Sequence, residues 1–576
     1  MDTLISIRDL FFKYPGGKET ILNGVNLEIK KGDFTAVIGS NGSGKTTLCK
    51  AFNGLIPHFY VGEIGGEVMV DGLDTRDHSV AELSKKIAYV YQDFENQLVR
   101  PTVYDEVTFS PLSFGMKDFK ERGQRALEML DLTHIKNEFI WQLSGGQKHL
   151  TALASVLSVD PEVIIIDEPV AQLDPVNAAK IYEKLKILNE VYGKTIIVIE
   201  HHTEFIGDYC KNVIMMDKGK ALWNLPVKVA LSKVGQLTEK DIFPPQVTQV
   251  VHRLNQNSHL LPVTVSQGVE YLNSQPLTIE QHRLDEMNSN DEVETAVRKP
   301  VVSLSDVTHG YKTLKRELKY VFNGLDLSFY EGDRVAIVGS NGAGKSTLLK
   351  IITGIIKLRQ GKVEIGGEDV TETSPEALAE KVTYIYQNPE EMFIEDSIVK
   401  DIGYFQEVRD IFGREAFVQN LVERFHLEKI KDRDGRLLSG GQQRRASMAI
   451  GLGMLPEVIL LDEPTSSLDI SSRKEMLKML DQLKDTVKTV VVATHDMQLV
   501  AEWANRVIVM DQGRIIKDGT CREIFSDSDL LENASIQAPQ IIKLGHELGM
   551  SPIPLSVEEM LSCLVVESGE EKLEAY

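Results

Sequence analysis

Short, continuous apolar runs alternate along this chain with longer stretches in which apolar and polar residues mix. Phe34–Ile38 (FTAVI), residues 163–166 (VIII) and Thr195–Ile199 (TIIVI) are almost wholly apolar or β-branched. Such runs suit strands buried on both faces, since a strand with one wet face would alternate polar and apolar residues. Residues 175–192 carry apolar side chains at helical spacing and predict a helix. Strands alternating with helices imply an α/β fold on a largely parallel sheet.

The pattern occurs twice. GSNGSGKTT at 39–47 is matched by GSNGAGKST at 339–347, YVYQDFENQL at 89–98 by YIYQNPEEMF at 384–393, and LSGGQ at 143–147 by LSGGQ at 438–442. VIIIDEP at 163–169 answers VILLDEP at 458–464, and IVIEHH at 197–202 answers VVATHD at 491–496. The offset is 300 at the glycine-rich stretch and 295 at Gln92 and Gln387, so the first half has five extra residues between those points, expected within LIPHFYVGEIGGEV. The tails pair as well, PQVTQVVHRL at 245–254 with PQIIKLGHEL at 539–548. A period this long belongs to whole domains, not to a solenoid. We expect a first domain over 1–272, a polar, acidic linker over 273–299 and a second domain over 300–576.

Composition narrows the setting. The chain has 576 residues and a formal net charge of -22, which opposes the basic face that nucleic acid would require. Its four cysteines, Cys49, Cys210, Cys521 and Cys563, form no C-x-x-C pair, which argues against zinc ribbons, iron–sulfur clusters and a disulfide framework. No apolar run approaches the length needed to cross a bilayer, and MDTLISIRDL lacks the features of a secretion signal. The expectation is a chain in the cytosol whose membrane role, if any, runs through a partner.

Chemistry enters with the glycine-rich stretches. Each fits G-x-x-x-x-G-K-[ST] directly after an apolar strand and before a helical run, the context that motif needs. Gly39, Gly42 and Gly44 allow the backbone to bend until successive N–H groups face phosphate oxygens, helped by the positive helix terminus. The candidate phosphate contacts are Gly39, Ser40, Asn41, Gly42, Ser43, Gly44, Lys45, Thr46 and Thr47. Their repeat is Gly339, Ser340, Asn341, Gly342, Ala343, Gly344, Lys345, Ser346 and Thr347. Lys45 and Lys345 would neutralise β- and γ-phosphate charge, and the Thr46 and Ser346 hydroxyls would ligate Mg²⁺.

Asp167 and Asp462 each end an apolar strand and precede Glu168 and Glu463. There the aspartate can hold a metal ion through water and the glutamate can polarise an attacking water; the plain alternative is a pair of acids at a solvated strand end. His201 and His495 follow the next apolar strand and are placed to touch the γ-phosphate. His202 competes with His201, although the pairing with THD favours His201. In LSGGQ, Ser144 and Ser439 look like helix N-caps, and the glycines after them let another chain segment approach a second anion-binding helix end. Taken alone, that stretch is also compatible with an ordinary turn before a helix.

Together these motifs resemble the ATP-binding cassette (ABC) family over about 230 residues of each half. The resemblance implies two tandem P-loop NTPase domains, each a RecA-like parallel sheet with helices, an antiparallel β part and a helical signature subdomain. In that family the signature of one cassette closes over ATP held by the other. Ser144, Gly145, Gly146 and Gln147 would thus face the nucleotide on Lys345, and Ser439, Gly440, Gly441 and Gln442 the one on Lys45. The family further implies adenine stacking at Tyr14 and Tyr311, a Mg²⁺-touching glutamine that links to the transport subunit at Gln92 and Gln387, and dimer loops at AQLD (171–174) and SSLD (466–469). The first copy departs in QKHL, where the second has QQRR, and in Val170 and Gln172.

NGLIPH (53–58), the stretch after each glutamine and the Pro-initiated tails resemble ATPase subunits of energy-coupling-factor (ECF) importers, which take up vitamins, vitamin precursors or metal ions. Here Phe94 stands where the second copy has Pro389, and Met392 where the first has Gln97. This implies an ATPase peripheral to the cytoplasmic face of the membrane, binding ATP and Mg²⁺ and working with a transmembrane coupling protein and a substrate-binding membrane protein. The alternatives are the ATPase of another ABC importer or exporter, or a soluble twin-cassette ATPase acting on ribosomes or DNA. The last would call for a cysteine cluster, a zinc-binding insertion or a basic arm, and none is seen.

Overall fold

A computed structural model describes residues 3–17, 19–170, 173–255, 260–291, 298–312, 318–411, 413–466, 470–483 and 486–566. The chain divides into two compact units, Met1–Ser274 and Gln275–Tyr576.

In the first unit the apolar runs become the middle of a six-stranded sheet. Its order is Lys220–Pro226, Asn212–Asp217, Phe34–Ile38, Thr195–Ile199, Val163–Asp167, Ile87–Val90. All neighbours are parallel except Lys220–Pro226, which closes one edge antiparallel. Every residue of Phe34–Ile38, Val163–Asp167 and Thr195–Ile199 is buried, as continuous apolar runs require. Alternation divides their side chains between two cores. Val163, Ile165, Ile197 and Ile214 pack with the helix Lys45–Phe52 and a four-stranded antiparallel sheet, ordered Leu22–Lys30, Thr3–Lys13, Glu63–Val70, Leu73–Asp74. Ile164, Ile166, Ile196 and Val198 pack on the other side with the helices Pro175–Glu190, Val103–Ser113, Phe119–Met129 and Gly145–Leu157.

The second unit repeats this plan. Its sheet runs Val382–Ile385, Val458–Asp462, Thr489–Ala493, Arg334–Val338, Arg506–Asp511, Arg514–Gly519, again antiparallel only at the last pair. An antiparallel sheet and the helices Ile398–Val408, Arg414–Arg424 and Gly440–Gly453 accompany it. The insertion expected in the first half includes a helix, Leu55–His58, with no counterpart among the described residues of the second. Each tail opens with a helix directly after a proline, Gln246–Leu254 and Gln540–Glu547.

The stretch 273–299, expected as a poorly periodic linker, carries regular structure. Leu277–Ile279 is a strand pairing antiparallel with Leu564–Val566, and Gln281–Asp291 is a helix with Leu284 fully buried. Its polar composition hides this because a few apolar side chains, seated on the tail of the second unit, suffice to hold it.

Candidate functional site

The parallel sheet brings the candidate residues of each unit to one edge. Phe34–Ile38, Thr195–Ile199 and Val163–Asp167 are adjacent and parallel, with Asp167 level with Ile199, so the glycine-rich turn, Asp167–Glu168 and Glu200–His201 leave the same carboxyl edge. That is where ligands bind in open α/β sheets.

Gly39 leaves its strand against the Met216 carbonyl oxygen, which a Cβ would strike, and Gly44 caps the helix Lys45–Phe52 at φ +101°. The second unit repeats both features, with Gly339 against the Met510 carbonyl. The turn wraps a buried ammonium: Lys45 Nζ donates to Gly39 O at 2.8 Å and Ser40 O at 3.1 Å, and Lys345 Nζ to Gly339 O at 2.8 Å and Ser340 O at 3.3 Å. An ammonium held in a glycine-rich turn at a helix N-terminus is a receptor for phosphate.

Asp167 and Asp462 are buried, and each accepts a hydrogen bond that the sequence did not announce. Tyr89 Oη donates to Asp167 Oδ2 at 3.0 Å, and Tyr384 Oη to Asp462 Oδ2 at 2.7 Å. Burial raises the Asp167 pKa and neighbouring Glu168 adds to the effect, against the opposing pull of Tyr89, Thr46 and Lys45. A divalent cation bound beside such a carboxylate would offset that rise. Asp462 Oδ1 and Ser43 Oγ are buried without a hydrogen-bond partner among the described residues, as fits a site finished by a phosphate and its metal. No group of three His, Cys, Asp or Glu side chains is placed to hold a metal ion among the described residues, so a cation here would depend also on hydroxyls, an amide and phosphate oxygens, as Mg²⁺ commonly does.

The two glutamates are held differently. Both adopt positive φ, +50° at Glu168 and +46° at Glu463, and both donate their backbone N–H to the end of the neighbouring strand. Glu168 accepts from Gln92 Nε2 at 2.5 Å, whereas His201 Nε2 stands 3.4 Å away without an aligned hydrogen bond. Glu463 is paired with His495 Nδ1 at 2.8 Å. Burial opposes charge on His495, but Glu463 and Asp496 outweigh it and raise its pKa. Gln387 is exposed, and its carbonyl and that of Tyr386 accept from the Arg444 guanidinium at 2.7 and 2.9 Å. In the first unit His149 takes the place of Arg444 and stacks on Phe94 at 4.5 Å.

The remaining candidates lie as follows. The Tyr14 hydroxyl reaches Thr47 Oγ1 at 3.5 Å, beside the cradle, while Tyr311 is exposed and meets His309 edge-on. Ser144 and Gln147 form a capping box that opens the helix Gly145–Leu157; the Ser144 N–H donates to Gln147 Oε1 at 3.0 Å. Ser439 N–H donates likewise to Gln442 Oε1 at 3.3 Å at the start of Gly440–Gly453. Asp174 caps the helix Pro175–Glu190 through the Asn177 N–H at 2.9 Å. Ala171, Gln172 and, in the second loop, Ser467, Leu468 and Asp469 lie outside the described residues.

Two α/β units, each with a lysine-bearing glycine cradle, a buried aspartate and an adjoining glutamate and histidine at one sheet edge, define a tandem P-loop nucleotide hydrolase. The ABC transporter family profile matches residues 22–171 and 322–466. A protein of Caldanaerobacter subterraneus provisionally named as an ABC transporter ATP-binding protein is 32% identical over 569 residues, covering 98% of this chain and 99% of that one. Another so named, from Methanosarcina acetivorans, is 31% identical over 606 residues, covering 99% and 92%. A Bacillus subtilis protein, YkoD, provisionally named for HMP/thiamine import, is 30% identical over 544 residues, covering 93% and 95%. The chain belongs to the ABC transporter ATP-binding family and hydrolyses ATP. No helix among the described residues is long and apolar enough to cross a membrane.

Proposed function

We propose that this chain energises an ECF-type importer of a vitamin, vitamin precursor or metal ion, working peripherally on a transmembrane coupling protein and a substrate-binding membrane protein. The import name of the Bacillus subtilis relative supports an importer, and NGLIPH with the paired tails supports the subfamily. In this reading each ATP rests on one cradle and is closed by the helix start at Ser439 or Ser144 of the other unit. Lys45 and Lys345 hold the β- and γ-phosphates, and the cradle's N–H groups orient them for in-line attack. Glu168 and Glu463 accept the proton of the attacking water, and His201 and His495 fix the γ-phosphate end. Thr46, Gln92 and Asp167, with Ser346, Gln387 and Asp462, would hold Mg²⁺, which when bound neutralises phosphate charge.

The observation that carries the partner assignment is the surface beside Gln92. Trp141 is 61% exposed, stacks on Phe139 at 4.4 Å and borders a cleft of about 480 Å³ with Val99, itself 63% exposed. Lys148 in the cleft wall pairs with Glu95, three residues from the glutamine that binds Glu168. An exposed aromatic patch joined to the hydrolytic glutamate suits a short amphipathic helix of a membrane partner. The second unit exposes Ile394 and Leu437 instead and has the Asp434–Arg436 ion pair where the first has Phe139 and Trp141, so the partner's two helices should differ. Phe94 is buried, which makes Val99 the position to probe. All four native cysteines are buried, so Val99→Cys offers a thiol reagent one accessible target. The expected result in native membranes is a crosslink to a multi-spanning polypeptide; capture of no membrane polypeptide would overturn the reading.

A further inference from the structure

The residue just before each histidine differs between the units, and both versions are buried: Glu200 and Thr494. Glu200 Oε2 accepts from Tyr182 Oη at 2.7 Å, and its Oε1 accepts the N–H groups of His201 and His202 at 2.7 and 2.9 Å. That carboxylate is committed to the helix Pro175–Glu190 and to its own loop. Thr494 does something else. Its Oγ1 accepts the Asp496 N–H at 3.0 Å and donates to Glu463 Oε2 at 3.2 Å. The position of Tyr182 is taken in the second unit by Leu477, which could not serve a buried carboxylate. Each unit therefore carries a matched pair, Glu200 with Tyr182 or Thr494 with Leu477.

The donors on Glu463 all fall on one oxygen. Thr494 Oγ1, the His495 N–H at 3.3 Å and His495 Nδ1 converge on Oε2. No hydrogen bond reaches Oε1 among the described residues, so that atom remains to receive a proton. Glu168 has no such donor from residue 200, and its short contact is to Gln92.

We infer that Thr494 is a positioning residue for Glu463, orienting its carboxylate through Oε2, and that the two ATP sites are unequal because Glu168 depends on Gln92 for the same service. This rests on the reading of Glu463 as the proton acceptor. Water adds to the γ-phosphorus, the bond to the β–γ bridging oxygen breaks with ADP leaving, and the proton of the water passes to Glu463 Oε1.

The test uses the full chain and steady-state hydrolysis of MgATP. Thr494→Val keeps the side-chain volume and removes the hydroxyl. On an E168Q background, where the Glu463 site alone turns over, the expected result is a kcat lower by about fivefold, the rate equivalent of one ordinary hydrogen bond, with KM for ATP within about twofold. The loss should be smaller in the parent chain, where the Glu168 site still turns over, and vanish on E463Q, and Thr494→Ser should restore the rate. A Thr494→Val chain as fast as the parent, an equal loss on both backgrounds, or failure of serine to restore would each overturn the inference. Should E463Q alone hydrolyse normally, the proton-acceptor reading itself fails; an impaired E463Q beside a harmless Thr494→Val sinks only the role of Thr494.

Discussion

Acid should open the helical part of the first unit and spare that of the second. His149 lies in the helix Gly145–Leu157, 2% exposed and stacked on Phe94, and its Nδ1 has no hydrogen-bond partner among the described residues. Burial pushes its pKa from an ordinary 6.5 down to about 4. The folded pKa lies below the unfolded one, so the opened state binds the proton more readily. Stability is complete above pH 6.5 and drains away as pH falls toward 4. Between pH 7 and pH 5 linkage gives a loss of about 2 kcal/mol, or roughly thirtyfold in the opening equilibrium. The second unit supplies an internal control, because Arg444 replaces His149 in the helix Gly440–Gly453 and stays charged. The buried carboxylates Glu106 and Asp401 stand at matching places and both are raised by burial, so they act in the same direction in the two units. Amide hydrogen exchange read by peptide and corrected for the intrinsic rate should show protection of 145–157 falling about thirtyfold from pH 7 to pH 5 relative to 440–453. His149→Leu, which cannot titrate, should abolish the difference. If the leucine variant loses protection in acid as steeply as the parent, the argument from His149 is wrong.

Two further outcomes are expected. Replacing both Glu168 and Glu463 with glutamine should slow ATP turnover by about 10²–10⁴ with ATP binding retained, measured by phosphate release and nucleotide titration; unchanged release would remove the proton-acceptor role. Tyr89→Phe and Tyr384→Phe together should raise the Mg²⁺ concentration for half-maximal hydrolysis about tenfold or more, since each strips a hydrogen bond from the aspartate meant to hold the ion; an unshifted Mg²⁺ curve would show that the tyrosines serve folding alone.

Much of this architecture was legible without coordinates. The buried strands are the continuous apolar runs, and the cradle is a local motif whose glycines act within a few residues of one another. What escaped depends on register and sheet order. Tyr89 is 78 residues from Asp167, and the two meet because Ile87–Val90 and Val163–Asp167 are neighbouring parallel strands. No periodicity in one segment announces that. Glu200 reads as one more acid beside a histidine until Tyr182 is seen beneath it, and Thr494 reads as filler until its hydroxyl is found on Glu463. The ordered half of the supposed linker escaped for a similar reason: three strand residues in a polar stretch have their partners nearly 290 positions later.

That last pairing sets an order of events during synthesis. Leu277–Ile279 emerges from the ribosome with no edge to join, and its partner Leu564–Val566 follows after about fifteen to sixty seconds of translation. Through that interval the strand is flanked by Gln275, Glu280 and Gln281, polar neighbours that discourage a stray strand from adding to it. The small sheet can therefore close only after the sheet and helices of the second unit that precede Leu564 have been synthesised.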